Sequence, residues 1–308
     1  MGAVGTPLVS VENLTRRFGP RRGVTDVSFR IDEGEVFGFL GPNGAGKSTT
    51  IRILLGLYGP TSGQVRVFGL DPTREASRIL ARVGYLPGEL ALYPQLTGGQ
   101  LLDRFARMRG LSDLRYRDEL VDRFGAELDR PARTLSKGNR QKIGLVMAFM
   151  HRPDLLVLDE PTSGLDPLMQ DEFAGLVRET IGDGRTILLS SHDLDEVQQL
   201  VERVCILREG RAVVTASVES LRRSSPRAVE LRFDHDVRPD VFARLDGVTV
   251  RSSDGDRITL SVTGPVTSLL RAAADAGAVD IVARRADLEE LFLSYYRGES
   301  GPVVPDGD

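Results

Sequence analysis

The run Gly41-Pro42-Asn43-Gly44-Ala45-Gly46-Lys47-Ser48 has the spacing G-x-x-x-x-G-K-[ST], and Thr49 follows it. Glycines let a backbone wrap closely around a bulky anion. Backbone N–H groups at a helix start give that anion partial positive charge. An ammonium at Lys47 suits the outer phosphates of a nucleoside triphosphate, and a hydroxyl at Ser48 suits Mg²⁺. The chain holds only three lysines, Lys47, Lys137 and Lys142, and arginine carries the remaining positive charge. A compact ammonium is not interchangeable with a planar guanidinium, so Lys47 stands out as chemistry.

A second group of residues supplies carboxylates. Leu155-Leu156-Val157-Leu158-Asp159-Glu160 reads as a buried strand ending in two acids. Asp159 is suited to holding Mg²⁺, and Glu160, one residue on, to acting on an attacking water. His192 falls at the end of another strand and so faces the crevice where such sheets bind ligands.

These residues need a frame. Val36–Leu40, Val83–Leu86, Leu155–Leu158 and Thr186–Ser190 are short apolar runs bounded by turn signals, as in a largely parallel buried sheet. Helical patterns lie between them, including Gly46–Leu57 and Asp171–Thr180, which predicts α/β architecture. Residues 89–133 favour helix, are rich in arginine, and suggest an inserted helical subdomain. The stretch from Ala216 to Pro226 is rich in serine, with 222–227 taken as the linker proper. After it the pattern resets. Strands Ala228–Phe233, Val248–Ser253, Arg257–Val262 and Ile281–Ala283, with helices Val241–Leu245 and Thr267–Ala276, give the order β-α-β-β-α-β of a split βαβ sandwich. Asp254-Gly255-Asp256 is the expected hairpin turn. A closing amphipathic helix over Asp287–Tyr296 and a flexible tail over 299–308 complete the prediction.

Composition narrows the function classes. The 308 residues carry 40 basic and 44 acidic side chains, a net charge of −4, and 41% hydrophobic residues. That excludes a wholly disordered chain and gives no basic footprint for nucleic acid. The single cysteine, Cys205, excludes an internal disulfide. No run reaches the roughly 20 apolar residues of a membrane span, and residues 1–8 do not read as a signal peptide. Any membrane role is expected to come through a partner.

With these motifs in place, the chain resembles the nucleotide-binding subunit of an ABC transporter, of the bacterial drug- and antibiotic-exporter branch. Leu135-Ser136-Lys137-Gly138-Asn139-Arg140-Gln141 is similar to that family's signature motif. Asp159 to Pro167 is similar to its Walker B and D-loop run, and Ser190-Ser191-His192-Asp193 to its switch-histidine loop. The resemblance spans about Leu8 to Leu221, residues 1–221 being taken as the cassette. It implies a P-loop NTPase cassette with a RecA-like core, a helical subdomain and an antiparallel β subdomain. The region 228–298 resembles the small α+β domain appended to exporter ATPases.

The resemblance also implies roles. ATP and Mg²⁺ are the expected cofactors, with Gly41 to Thr49 binding ATP and Ser48 and Asp159 the metal. Glu160 and His192 are the expected catalytic pair. Phe18 falls where an aromatic stacks on adenine. Two cassettes pair head to tail, so Ser136, Lys137, Gly138 and Asn139 act on the partner's ATP, with Asp166 in the D-loop. The implied partners are a second copy and a multi-span permease, and the implied location is the cytoplasmic membrane face.

Two departures stand out. Lys137 and Asn139 replace glycine and glutamine, and Asn139's amide is expected to keep phosphate contact. Gly88 occupies the place of a glutamine, with Glu89 beside it as the expected surrogate near ATP or the metal. Import, lipid or polysaccharide export, or a soluble ATPase of the same superfamily are the alternatives. A GTPase lacks support, because no N-K-x-D motif is present.

Overall fold

The structure, a computed structural model, describes residues 7–19, 21–191, 199–224 and 227–284. The chain divides into two compact units, Met1–Thr215 and Ala216–Asp308.

The first unit holds two sheets. Strands β1 (Val9–Phe18), β2 (Arg21–Ile31) and β4 (Ser62–Val67) form an antiparallel sheet in the order β2-β1-β4. The six-stranded sheet uses β3 (Val36–Leu40), β5 (Val83–Leu86), β6 (Leu155–Asp159), β7 (Thr186–Ser191), β8 (Arg203–Arg208) and β9 (Arg211–Ser217), in the order β5-β6-β7-β3-β8-β9. Its pairs β5/β6, β6/β7, β7/β3 and β3/β8 are parallel. Every residue of β3, β6 and β7 is buried, as a sheet covered on both faces requires. Phe37 and Phe39 of β3 pack on Phe29 of β2, with ring centroids 5.5 and 5.2 Å apart. That aromatic cluster joins the two sheets in one core.

Register then gathers the chemistry at one edge. Leu40 pairs with Ser191, and Asp159 with Ser190. The carboxyl ends of β3, β6 and β7 therefore lie side by side, where open α/β sheets bind ligands.

The helices are α1 (Lys47–Leu54), α2 (Pro72–Ala81), α3 (Gly98–Met108), α4 (Arg115–Phe124), α5 (Lys137–Phe149) and α6 (Pro167–Gly182). Helix α1 stops short of the expected Leu57 because Gly56 turns with φ +72°, against the Pro72 carbonyl. Helix α6 begins earlier than expected. Asp166 caps it by accepting from the Met169 N–H at 3.1 Å, and Pro167 starts the first turn. Helices α3 and α4 fall inside the expected helical insert.

In the second unit, α7 (Val218–Ser224) occupies much of the serine-rich stretch read as a linker. Ser217 Oγ accepts from the Ser220 N–H at 3.0 Å, so a serine of the stretch read as a linker starts a helix. Leu221, in this helix, is fully buried. Strands β10 (Arg227–Arg232), β11 (Val248–Asp254), β12 (Arg257–Val262) and β13 (Asp280–Arg284) follow, with α8 (Asp240–Ala243) and α9 (Thr267–Asp275). Their order is β-α-β-β-α-β, and the antiparallel sheet runs β11-β12-β10-β13. The hairpin turns at Gly255 with φ +56°. Val229, Leu231, Ile258 and Leu260 pack with Phe242 and Leu269 in a separate core. The expected closing helix over Asp287–Tyr296 lies outside the described residues, as does the tail.

Candidate functional site

A cavity of about 480 Å³ opens at the carboxyl edge of the six-stranded sheet. Pro42, Asn43, Gly44, Gly46, Lys47, Ser48 and Thr49 line it, facing Asp159 and Glu160. The loop's shape depends on its glycines. Gly44 and Gly46 have φ of +82° and +111°. At Gly41 a Cβ would come within 2.5 Å of the Leu207 carbonyl, and at Gly46 within 2.6 Å of Val24. Only glycine fits where the backbone both reverses and packs this closely. The Ala45 N–H donates to the Pro42 carbonyl at 3.0 Å, and the Ala45 carbonyl accepts from the Gly210 N–H at 3.0 Å. The turn after β8 thus braces the loop. Helix α1 starts at Gly46 with no side-chain cap, which leaves its first-turn N–H groups for an anion.

Lys47 is 6% exposed and donates to the Gly41 carbonyl. Its ammonium lies 3.4 Å from Glu160 Oε1. Ser48 Oγ donates to Asp159 Oδ2 at 2.8 Å, and Ser190 Oγ donates to Asp159 Oδ1. A hydroxyl and a carboxylate already meet on the cavity wall, and such hard oxygen donors suit Mg²⁺. Glu160 itself sits at φ +54°. For a residue with a Cβ that conformation costs about 1–2 kcal/mol. Its N–H donates to the Ser190 carbonyl at 3.0 Å, and its carbonyl accepts from the Ser163 N–H at 3.2 Å.

Gly88 stands beside Asp159, where a Cβ would lie 3.3 Å from Oδ2, and exposed Glu89 lines the same cavity. Sequence reasoning passed over Gly23, Arg52, Tyr85 and Pro87, which also line it. Arg52 had a signal, since it lies four residues after Ser48 on α1 and so shares its face. Burial first, and the Asp159 charge second, push the Tyr85 phenol above its ordinary pKa.

Other expected site residues are placed elsewhere. Phe18 is not on the cavity wall. It ends β1 and is exposed, its ring edge-on to Tyr58 at 5.5 Å with the Arg16 guanidinium 4.9 Å from its centroid. Ser136, Lys137, Gly138, Asn139 and Asp166 are also absent from that wall. Ser136 caps α5, accepting from the Asn139 N–H at 3.1 Å.

Asn139, expected to keep phosphate contact, is bonded within its own chain. It is 9% exposed, and its Oδ1 accepts from the Glu127 N–H at 2.8 Å while its Nδ2 donates to the Glu127 carbonyl at 3.0 Å. Both ends of the amide fasten the helical insert to α5. Lys137 Nζ donates to Ser163 Oγ at 2.7 Å, and its stem lies along Gly164. His192 lies outside the described residues.

Among the described residues no helix is long and apolar enough to cross a membrane. A phosphate loop closing a parallel sheet, opposite two strand-end carboxylates, defines a P-loop nucleoside triphosphatase. The ABC transporter family model matches residues 24–163. The daunorubicin resistance ATP-binding protein DrrA3 of Streptomyces coeruleorubidus is 36% identical over 303 residues, covering 92% of this chain and 94% of that protein. The bacitracin transport ATP-binding protein BcrA of Bacillus licheniformis is 35% identical over 228 residues, covering 73% and 74%. A solved ATP-binding subunit of an ABC transporter superposes with a TM-score of 0.65 at 32% identity, covering 70% of this chain and 92% of the other. The dimeric cassette MJ0796 shares the fold, with a TM-score of 0.61 at 23% identity over 68% of this chain and 98% of its own. The chain belongs to the ABC transporter family, as its ATP-binding, ATP-hydrolysing subunit. Subunits of this family work with transmembrane permeases.

Proposed function

We propose that this chain powers the export of amphiphilic drugs or antibiotics through a multi-span permease. Two copies pair head to tail on ATP and part after hydrolysis. The match to a daunorubicin resistance protein over nine-tenths of both chains, second unit included, supports the export reading. The chain would then work at the cytoplasmic face of the membrane, held by the permease.

The observation that carries the catalytic reading is the Lys47–Glu160 pair at 3.4 Å across the phosphate site. Triphosphate would compete for the Lys47 ammonium, which leaves the Glu160 carboxylate to take a proton from water. Ser48 and Asp159 would hold Mg²⁺, whose charge neutralises phosphate oxygens when it is bound. Glu89, which lines the cavity, would add a carboxylate there in the role of the missing glutamine. The segment Ser136–Gly138 is absent from the wall of its own chain's cavity, which favours action on a second copy's nucleotide. Its contribution is the Ser136 hydroxyl and backbone N–H groups rather than the Asn139 amide. ATP binds the closed pair better than the open one, and so shifts that equilibrium. His192 is proposed as a second catalytic group on its sequence position alone.

Glu160→Gln tests the catalytic assignment. It should keep ATP binding and lower turnover by about 100-fold or more, read as phosphate release by the purified chain. Wild-type turnover would remove Glu160 from catalysis. Co-purification with the permease, followed by ATPase assays against amphiphilic antibiotics, tests the cargo class. Stimulation by lipids alone would overturn it.

A further inference from the structure

The peptide that carries Glu160 is held from a direction the phosphate site does not explain. Gln141 lies on α5, two residues past Asn139, and is 5% exposed. Its Nε2 donates to the Glu160 carbonyl at 3.1 Å and to the Pro161 carbonyl at 2.8 Å. One side-chain amide thus ties two consecutive peptides immediately after β6. The first belongs to a residue at φ +54°, a conformation the surrounding structure must hold in place. The opposite side is fixed by the Ser190 carbonyl, which accepts the Glu160 N–H.

We infer that Gln141 is a positioning residue for hydrolysis: from the signature helix it holds the Glu160 peptide in its left-handed turn, and so aims the Glu160 carboxylate. The inference rests on the reading of Glu160 as the group that acts on water. A carboxylate displaced by a fraction of an ångström loses its alignment with water, whereas phosphate contacts made by the loop are untouched. Gln141 therefore acts on turnover and not on nucleotide affinity.

The placement also links two sites. Helix α5 begins at Ser136, in the segment proposed to meet the partner copy's nucleotide. Less than two turns further on, the same helix grips the Glu160 backbone. Lys137 adds a second tie from the helix start, to Ser163 in the turn after Glu160. A shift of α5 on the partner's nucleotide would reach the hydrolytic carboxylate of its own chain through rigid contacts.

The test uses the full chain with Gln141→Met, which keeps volume and removes the donor. ATP hydrolysis and binding of a fluorescent ATP analogue are both measured. The expected result is a kcat about tenfold lower, with KM and analogue affinity within about twofold. Combined with Glu160→Gln, the substitution should lower the residual turnover no further, because it acts through Glu160. A wild-type kcat in Gln141→Met, beside a dead Glu160→Gln, overturns the positioning role. An equal fall in both backgrounds overturns it too, since the effect would then bypass Glu160. Wild-type turnover in Glu160→Gln breaks the underlying reading of Glu160 instead, whatever Gln141→Met does. Should Gln141→Met fail to fold, Gln141→Asn, one methylene shorter, is read by the same outcomes.

Discussion

The phosphate loop and the signature segment are both glycine-containing turns that open a helix, yet they spend their polar groups in opposite ways. In the first, Gly46 begins α1 without a side-chain cap, and Lys47 and Ser48 line an open cavity. In the second, Ser136 caps its own helix, Asn139 is bonded twice to Glu127, Lys137 to Ser163, and Gln141 to Glu160 and Pro161. Lys47 and Ser48 are bonded within the chain too, to Gly41 and Glu160 and to Asp159, but they make those bonds on the cavity wall, where a ligand can compete for them. The signature segment is built to be held, and its side chains spread that hold over the helical insert and the turn after β6. A motif's residue types thus do not reveal whether its groups face a ligand or the protein.

The comparison can be broken from either side. The largest effect is expected at the phosphate loop. Lys47→Met removes a charge-assisted contact to the phosphates and should weaken ATP affinity by about 10- to 100-fold, read by titration with a fluorescent analogue. An unchanged affinity would mean that the buried ammonium serves only Gly41 and Glu160. The signature segment should respond in stability instead. Asn139→Leu leaves the Glu127 N–H and carbonyl without their partner, which costs about 2–3 kcal/mol. Chemical denaturation measures that loss. A variant of full stability that binds ATP poorly would return Asn139 to a nucleotide-contacting role.

The smallest expected effect lies where the helical insert meets the six-stranded sheet. Burial first, then the Arg109 charge, lower the His151 pKa from 6.5 to about 4. Its Nε2 lies 3.2 Å from the Val83 carbonyl, which also accepts from Arg109 at 2.9 Å. The folded state therefore binds this proton less readily than the unfolded chain. Stability from this group is complete above pH 6.5 and falls as pH drops towards 4. Melting temperatures across that window should slope less steeply in His151→Asn than in the wild type. Parallel slopes would show that the fold does not hold the His151 pKa below its unfolded value.

How far the sequence could be read varied with the range of the forces involved. The phosphate loop was legible because its glycines, lysine and serine act within one strand, turn and helix. Helix α6 was partly legible: its apolar spacing showed, while the Asp166–Pro167 start was a cap signal passed over. The serine-rich stretch after Ala216 misled, because Ser217 spends its hydroxyl on a cap. Arg52 follows Ser48 by one turn on α1 and was legible from that spacing, whereas Tyr85 reaches the cavity wall from β5, and only the strand order brings β5 beside Asp159.

Sequence alone determined the alternation of strands and helices, the phosphate loop and the two strand-end acids, since each follows from neighbours within a few residues. Tertiary structure decided which amides and ammonium groups remain available. Asn139 faces a peptide 12 positions back, Gln141 one 19 ahead, and Lys137 a hydroxyl 26 ahead. A buried polar group takes whichever partner the packing brings within reach, and that partner is set by how α5 lies on β6 rather than by the motif it belongs to.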